Sequence, residues 1–196
     1  MAKLLTTLAP QSALTATSAS WNGLSISEQH EGELCSLACN ADQLPALDTA
    51  FQNQFGMNLP APGKIATYRD GHIFWTAPNQ WFVATKTTDL YAETRLKERL
   101  GETAMTTLQT DAWAQIDITG LRIVELVERL VALDLSNEAF PTGSAARTQA
   151  HHINLFVLRL PNTEKTYRLL CARSYAQSLF DTLHKTATSL FGPTND

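Results

Sequence analysis

Charge is scarce in this chain. Of 196 residues, 17% are Asp, Glu, Lys or Arg, against roughly 25% in an average soluble protein. The formal net charge is −4, with no block of Lys or Arg anywhere. That excludes nucleic acid as a partner, because phosphate binding needs clustered cations. Apolar runs long enough to cross a membrane are missing too, so no membrane association is expected. Lys3 and a few leucines imitate a signal peptide, but Thr6, Thr7, Pro10, Gln11 and Ser12 break the apolar segment. Residues 1–30 therefore read as an N-terminal arm, ordered only where something packs on it. Cys35, Cys39 and Cys171 are odd in number. The first two lie close together, but no second Cys or His pair completes a metal site, which leaves buried, reduced thiols in a cytoplasmic protein. Glycine motifs of the Rossmann or P-loop kind are also lacking.

What is present is apolar mass and periodicity. Hydrophobic residues make up 44% of the chain, enough for a substantial core in one domain or two small ones. Low charge also permits a sizeable contact surface, because interface cores are depleted in charged residues. Residues 33–40 alternate as a strand. Asp42 is placed to cap a helix whose stripe is Leu44, Leu47, Phe51 and Phe55, with Pro45 in its first turn and Gly56 at its end. After the loop 58–63, strands at 64–68 and 72–75 flank Arg69-Asp70-Gly71 as a hairpin. A third strand at 81–85 follows the turn at Pro78-Asn79, and a helix over 89–100 ends at Gly101.

Residues 102–112 read as a connection, after which the order starts again. A strand at 113–119 leads into a helix from Gly120 to about Leu133, with Ile123, Leu126, Val127, Leu130 and Leu133 at helical spacing and Val124 and Val131 widening the stripe. On its other side Glu125 and Arg129 form an i,i+4 pair. Phe140-Pro141-Thr142-Gly143 is a loop, and strands at 153–160 and 167–172 surround the turn at Pro161-Asn162. Ser174-x-x-Gln177 reads as a capping box, opening a last helix whose inner face is Tyr175, Ala176, Leu179, Phe180 and Leu183. The two halves, 31–101 and 113–196, match in element order. Residues 59–63 correspond to 140–143, and residues 81–85 to 167–171. The expected fold is α+β, two tandem ferredoxin-like β-α-β-β-α units, as one compact domain or two closely packed.

Candidate site residues are few. His151-His152 at the start of a strand would point to opposite faces, which disfavours a shared metal. Trp75 and Trp81 flank a turn, either as an aromatic platform for a pterin or partner side chain or as packing against the adjoining helix. Arg147 is placed to hold a carboxylate bidentately or to make a surface salt bridge. Asp117 and Asp134 are isolated, and nothing forms a Ser/His/Asp or paired-carboxylate arrangement. No catalytic, cofactor-binding or metal-binding residue is assigned.

Several stretches, in order along the chain after about residue 20, carry a resemblance. They are Phe55-Gly56-Met57-Asn58-Leu59-Pro60; Trp75-Thr76-Ala77-Pro78-Asn79-Gln80-Trp81; Asp117-Ile118-Thr119-Gly120-Leu121-Arg122; Ala132-Leu133-Asp134-Leu135; Phe140-Pro141-x-Gly143 with Arg147-Thr148; and the run from Tyr167 to Ala176. Together they resemble the gamma subunit of heterotetrameric sarcosine oxidase. The resemblance implies the folate-binding fold of the glycine-cleavage T-protein. It also implies a non-catalytic subunit of a complex that demethylates sarcosine oxidatively to glycine and passes the one-carbon unit to tetrahydrofolate. FAD, FMN, NAD and tetrahydrofolate are then expected on partner subunits, alpha and beta with a possible delta, and none on this chain. Where the family has Gly-Pro-Asp-Glu, this sequence has Ala77-Pro78-Asn79-Gln80. Where folate-dependent relatives carry Gly-Cys-Tyr-x-Gly-Gln-Glu, residues 143–149 contain neither Cys nor Glu. The alternatives are a stand-alone folate-binding or aminomethyl-transferring protein, with Asp117 or Glu125 to hold the pterin, and a structural regulator that has lost the oxidase partners.

Overall fold

The computed structural model describes residues 11–30, 32–89, 91–161 and 165–194, so the first ten residues of the expected arm and Asn162 of the expected turn lie outside the described residues. Two antiparallel sheets stack face to face, with helices on their outer faces. The first repeat contributes β3 (Leu34–Ala38), α1 (Leu44–Phe55), β4 (Ile65–Tyr68), β5 (Gly71–Ala77), β6 (Gln80–Thr85), α2 (Ala92–Leu100) and β7 (Met105–Leu108). The second contributes β8 (Trp113–Gly120), α3 (Ile123–Val127), β9 (Ala145–Ala150), β10 (Ile153–Arg159), β11 (Thr166–Ala172) and α4 (Ala176–Phe191). Ahead of both lies a hairpin of β1 (Ser18–Trp21) and β2 (Leu24–Gln29).

Both faces of each sheet are covered, and the strands show it. In β5 the adjacent residues Ile73 and Phe74 are both fully buried, because Ile73 faces α1 and α2 while Phe74 faces the other sheet. Leu34, Phe82, Phe156, Leu158 and Leu170 fill the layer between the sheets. Leu47 and Phe51 of α1 close the outer face of the five-stranded sheet, and Leu179, Phe180 and Leu183 of α4 close that of the six-stranded one.

The sheet orders expose the duplication: β4-β5-β6-β3-β7 in one and β9-β10-β11-β8-β2-β1 in the other, read from matching ends. Every neighbouring pair is antiparallel. Each unit is thus β-α-β-β-β-α rather than β-α-β-β-α; the first has the three strands read between its helices, and the second gains its third from the polar segment Ala145–Ala150. The units meet where Ile65 N–H donates to Gly143 O at 2.8 Å and Ala145 N–H donates to Gly63 O at 2.9 Å. That reciprocal pair marks a local twofold passing between Lys64 and Ser144, which form an antiparallel bridge. Gly63 and Gly143 both have left-handed φ, 74° and 83°, so the two Pro-Gly loops match in conformation as well as position. The registers then align Phe82 with Arg168 and Trp81 with Tyr167, as the sequence correspondence requires.

Three sequence expectations are corrected. Residues 18–29 are not an arm: β2 pairs along β8, and Trp21, Leu24 and Ile26 are buried in the second core. Asn22-Gly23 is the tight turn of that hairpin, with Gly23 at φ 80°. Residues 11–15 are tied down too, with Ala13 N–H on Glu28 Oε1 and Thr15 N–H on Gln177 Oε1. The connection is likewise not plain loop, since β7 pairs with β3 along Cys35–Ala38. The helix expected from 120 to 133 is α3 alone. Strand β8 runs through Gly120, whose φ of 137° leaves an added Cβ only 2.1 Å from Gly23 O. Past Val127 the bonds of Arg129 to Leu126 O and Leu130 to Val127 O span three residues, and Val131 is drawn off to a bridge with Ala150. The stripe is rich in β-branched residues, which are weak helix formers, and it buries Ile123, Leu126, Val127, Leu130 and Val131 without needing a long helix.

Cap details differ as well. Gln43, not Asp42, precedes α1, after a short 3₁₀ turn at Ala41–Gln43. Gly56 does close α1 in the left-handed conformation. The capping box at α4 is absent because Gln177 turns to Thr15 and Asp181, and Tyr175 is exposed rather than inward.

Candidate functional site

Asp117 on β8 and Arg168 on β11 are opposite one another in register and on the face turned toward the other sheet. Their carboxylate and guanidinium meet bidentately, Nε to Oδ1 at 2.6 Å and Nη2 to Oδ2 at 2.8 Å. Arg168 Nη1 also donates to Gln115 Oε1 at 3.3 Å. Side-chain exposures of 15% and 11% make this a nearly buried ion pair. Sequence reading singled out Asp117 but found it isolated, since its partner is 51 residues away. The available signal was Arg168 itself, the one charge in the otherwise apolar strand Thr166–Ala172.

His72 on β5 shares this layer, and its Nε2 is buried with no hydrogen-bond partner among the described residues. Burial, then the positive charges of Arg168 and Lys86, push its pKa down to about 3 from 6.5. The folded ring is therefore neutral across the range in which an unfolded histidine takes a proton. Between about pH 6.5 and 3 the unfolded chain binds more protons than the native one, so His72 stabilises at neutral pH and that stability is lost as pH falls through this window. The expected slope is at most about 1.4 kcal/mol per pH unit for one proton. Urea denaturation of the wild type and His72→Gln at neutral and mildly acidic pH checks it. The wild type should lose more stability than the variant on acidification, and equal losses would refute the assignment.

Trp75 and Trp81 are directly opposed across β5 and β6. Trp81 is buried, and its indole N–H donates to Pro60 O at 3.0 Å, so it is committed to packing. Trp75 is half-buried and lines an open, mostly apolar cleft of about 520 Å³ with Leu44, Pro45, Pro62 and Pro78. A smaller cavity of about 190 Å³ lies between α2 and the five-stranded sheet, lined by Cys35, Phe55, Tyr68, Arg95 and Arg99 among others. Burial, reinforced by Glu93, Glu33 and Asp89, pushes the Cys35 thiol up to about 12. Burial and Asp70 do the same to Tyr68, whose hydroxyl donates to Ala84 O at 3.2 Å. Cys171 is pushed up to about 11 by burial, and Cys39 is raised as well. All three thiols are free and buried, and they stay protonated near neutral pH, the opposite of what a nucleophile or metal ligand requires.

The remaining sequence candidates are dispersed. His151 and His152 form the exposed two-residue turn between β9 and β10, with His151 at φ 53°, not the start of a strand. Arg147 makes no ion pair among the described residues; its guanidinium lies over the Phe156 ring, 5.9 Å from the centroid. Glu125 pairs with Arg122 at 3.0 and 2.9 Å rather than with Arg129, and Arg122 also sits over the Phe191 ring. Asp134 accepts from Ser136 N–H at 2.9 Å, and hydrogen bonds from Ser136 hold its carboxyl below the usual range. Among the described residues no group of three or more His, Cys, Asp or Glu is placed to hold a metal ion, and no helix is long and apolar enough to cross a membrane.

Comparison with known proteins gives the arrangement a family. No curated protein matches the sequence. A heterotetrameric sarcosine oxidase from Corynebacterium sp. U-96, solved in complex with pyrrole 2-carboxylate, contains a chain of similar fold. Its TM-score is 0.73 at 19% identity, covering 94% of this chain and 91% of that one. The glycine cleavage system aminomethyltransferase T from Bartonella henselae is similar at a TM-score of 0.58 and 12% identity, over 87% of this chain and 46% of that longer one. At such identities both matches speak to fold, the second tying it to that of T-proteins. The model of the sarcosine oxidase, gamma subunit family matches residues 39–189, so it spans both repeats, and the chain belongs to that family.

Proposed function

We propose that this chain serves as the non-catalytic gamma subunit of a flavin- and folate-linked sarcosine oxidase complex in the cytoplasm. The complex demethylates sarcosine oxidatively to glycine and passes the one-carbon unit to tetrahydrofolate. In this reading alpha and beta subunits, with a delta subunit, are its partners, and FAD, FMN, NAD and tetrahydrofolate reside on them. The family match over residues 39–189 carries the proposal. The state of the polar groups supports it: the thiols are held protonated, and His72 is held neutral between the sheets.

The alternative, a stand-alone folate-binding or aminomethyl-transferring protein, draws on the fold shared with the Bartonella aminomethyltransferase. It needs a free carboxylate for the pterin. Asp117 is already held bidentately by Arg168 in the sheet interface, and Glu125 is held by Arg122 on the surface. The residues present therefore fit that group poorly.

Mild affinity purification of the tagged chain from its own host separates the readings. A yellow complex containing two larger chains and consuming oxygen with sarcosine is the expected result. A colourless chain purified alone, under conditions where such complexes survive, would overturn it. Saturable tetrahydrofolate binding by that lone chain would establish the alternative.

A further inference from the structure

The two sheets touch at one pair of edges: β4 and β9 are joined at their first residues through the Gly63 and Gly143 bonds, while β1 shares a surface hollow with Thr194 after α4. Strand β7 has no such junction among the described residues. It ends the five-stranded sheet. Gln109 N–H donates to Leu34 O, which sets the phase of the ladder: Met105 and Thr107 direct their backbone groups to β3, while Thr106 and Leu108 direct theirs outward. No backbone bond to Thr106 or Leu108 on that outer side occurs among the described residues.

An exposed strand edge usually carries a guard, such as a lysine, a proline or a bulge. Met105-Thr106-Thr107-Leu108 has none of these, and it exposes 63% of Met105 and 43% of Leu108. Beside the edge runs a groove floored by Ala104, Met105 and Thr106 and walled by Thr94, Lys97 and Glu98 of α2. A row of free N–H and C=O groups specifies its occupant more narrowly than an apolar patch does. The chemistry that satisfies it is another extended backbone.

We propose that β7 is a docking edge on which an extended segment of a larger partner subunit adds as a sixth strand of the five-stranded sheet. Thr106 and Leu108 exchange backbone hydrogen bonds with that segment, and Met105 and Leu108 contact its side chains. A different chain, rather than a second copy of this one, follows from reading the protein as a subunit of a heteromeric oxidase, and the inference rests on that reading.

Proline tests it cleanly, because proline at 106 or 108 removes only an outward N–H and is tolerated at a sheet edge. In Thr106→Pro/Leu108→Pro the two lost donors should weaken association with the larger subunits by about tenfold or more. The far-UV spectrum and melting temperature of the isolated chain should change little. Hydrogen exchange of the peptide covering 105–108 should slow when wild-type chain joins the complex. Should the double-proline chain melt early, Leu108→Lys replaces it as the probe. If wild-type chain assembles and the folded variants assemble equally well, with exchange at 105–108 unchanged, the docking edge is refuted while the subunit reading stands. If wild-type chain recruits no larger subunit, the subunit reading falls and the inference falls with it. Slowed exchange that depends on the concentration of the isolated chain would assign the edge to a second copy and overturn the proposal.

Discussion

Arg168→Met is expected to destabilise the protein by about 3 kcal/mol, the size seen when one partner of a buried ion pair is removed. At this chain length that corresponds to a fall in melting temperature of about 10 °C. The substitution keeps the long apolar stem but leaves the Asp117 carboxylate in the layer between the sheets without its two guanidinium bonds. The cost is that of a stranded charge, not the net worth of the bridge. A second variant separates the two. Asp117→Leu/Arg168→Met strands nothing and should recover most of the loss, because an apolar pair of similar volume often equals a buried salt bridge. Equilibrium denaturation of both variants is the measurement. If the double variant is no better than Arg168→Met, the pair contributes something packing cannot replace. If Arg168→Met is within about 0.5 kcal/mol of wild type, the site is wetter than its 15% and 11% exposures imply.

The same pair shows what a sequence conceals. Read from sequence, Asp117 is a lone acid on a strand and one candidate carboxylate for a pterin. Its true role depends on a register that joins residue 117 to residue 168, and one sequence does not encode that register locally. The Trp75–Trp81 pair was legible because its members flank one tight turn and oppose each other across it. Edge strands fared worst. β7 and β9, Met-Thr-Thr-Leu and Ala-Ala-Arg-Thr-Gln-Ala, lie at sheet ends with much of their side-chain surface in solvent, so neither shows an apolar alternation. Helix α3 erred the other way. A buried stripe at 3.6-residue spacing is satisfied equally by one turn of helix followed by tight turns, and the bridge from Val131 to Ala150 that decides between them is again nonlocal. The local signal for the first hairpin is Asn22-Gly23, between the stretches that form β1 and β2. By contrast the internal duplication was readable, because its landmarks are local: Gly56 after a helical stripe, Pro-Gly loops, and short apolar strands on either side of turns.

The duplication also sets the second large effect. Phe74 is fully buried where the sheets face each other, packed edge-on against Phe82 at 5.6 Å and against Phe156 of the other repeat at 6.0 Å. Phe74→Ala should cost about 4 kcal/mol, combining lost transfer energy, a cavity and two aromatic contacts. Its partner under the local twofold is Leu158, also fully buried, whose truncation removes fewer atoms and no ring contact and should cost less. Phe51→Ala, in the outer layer under α1, is the comparison that matters most. If the two repeats unfold as one body, Phe74→Ala and Phe51→Ala should each shift a single transition, with backbone circular dichroism and tryptophan fluorescence changing together. Trp113 reports on the shared layer, since its ring lies 5.4 Å from Phe82 and 5.5 Å from Phe156. Were the halves only loosely joined, Phe51→Ala would melt the first repeat alone and split the transition, leaving β8 to β11 folded. The reciprocal hydrogen bonds at Gly63 and Gly143 and the ring cluster drawn from both sheets argue for one transition. Loss of Phe74 should then weaken both repeats at once.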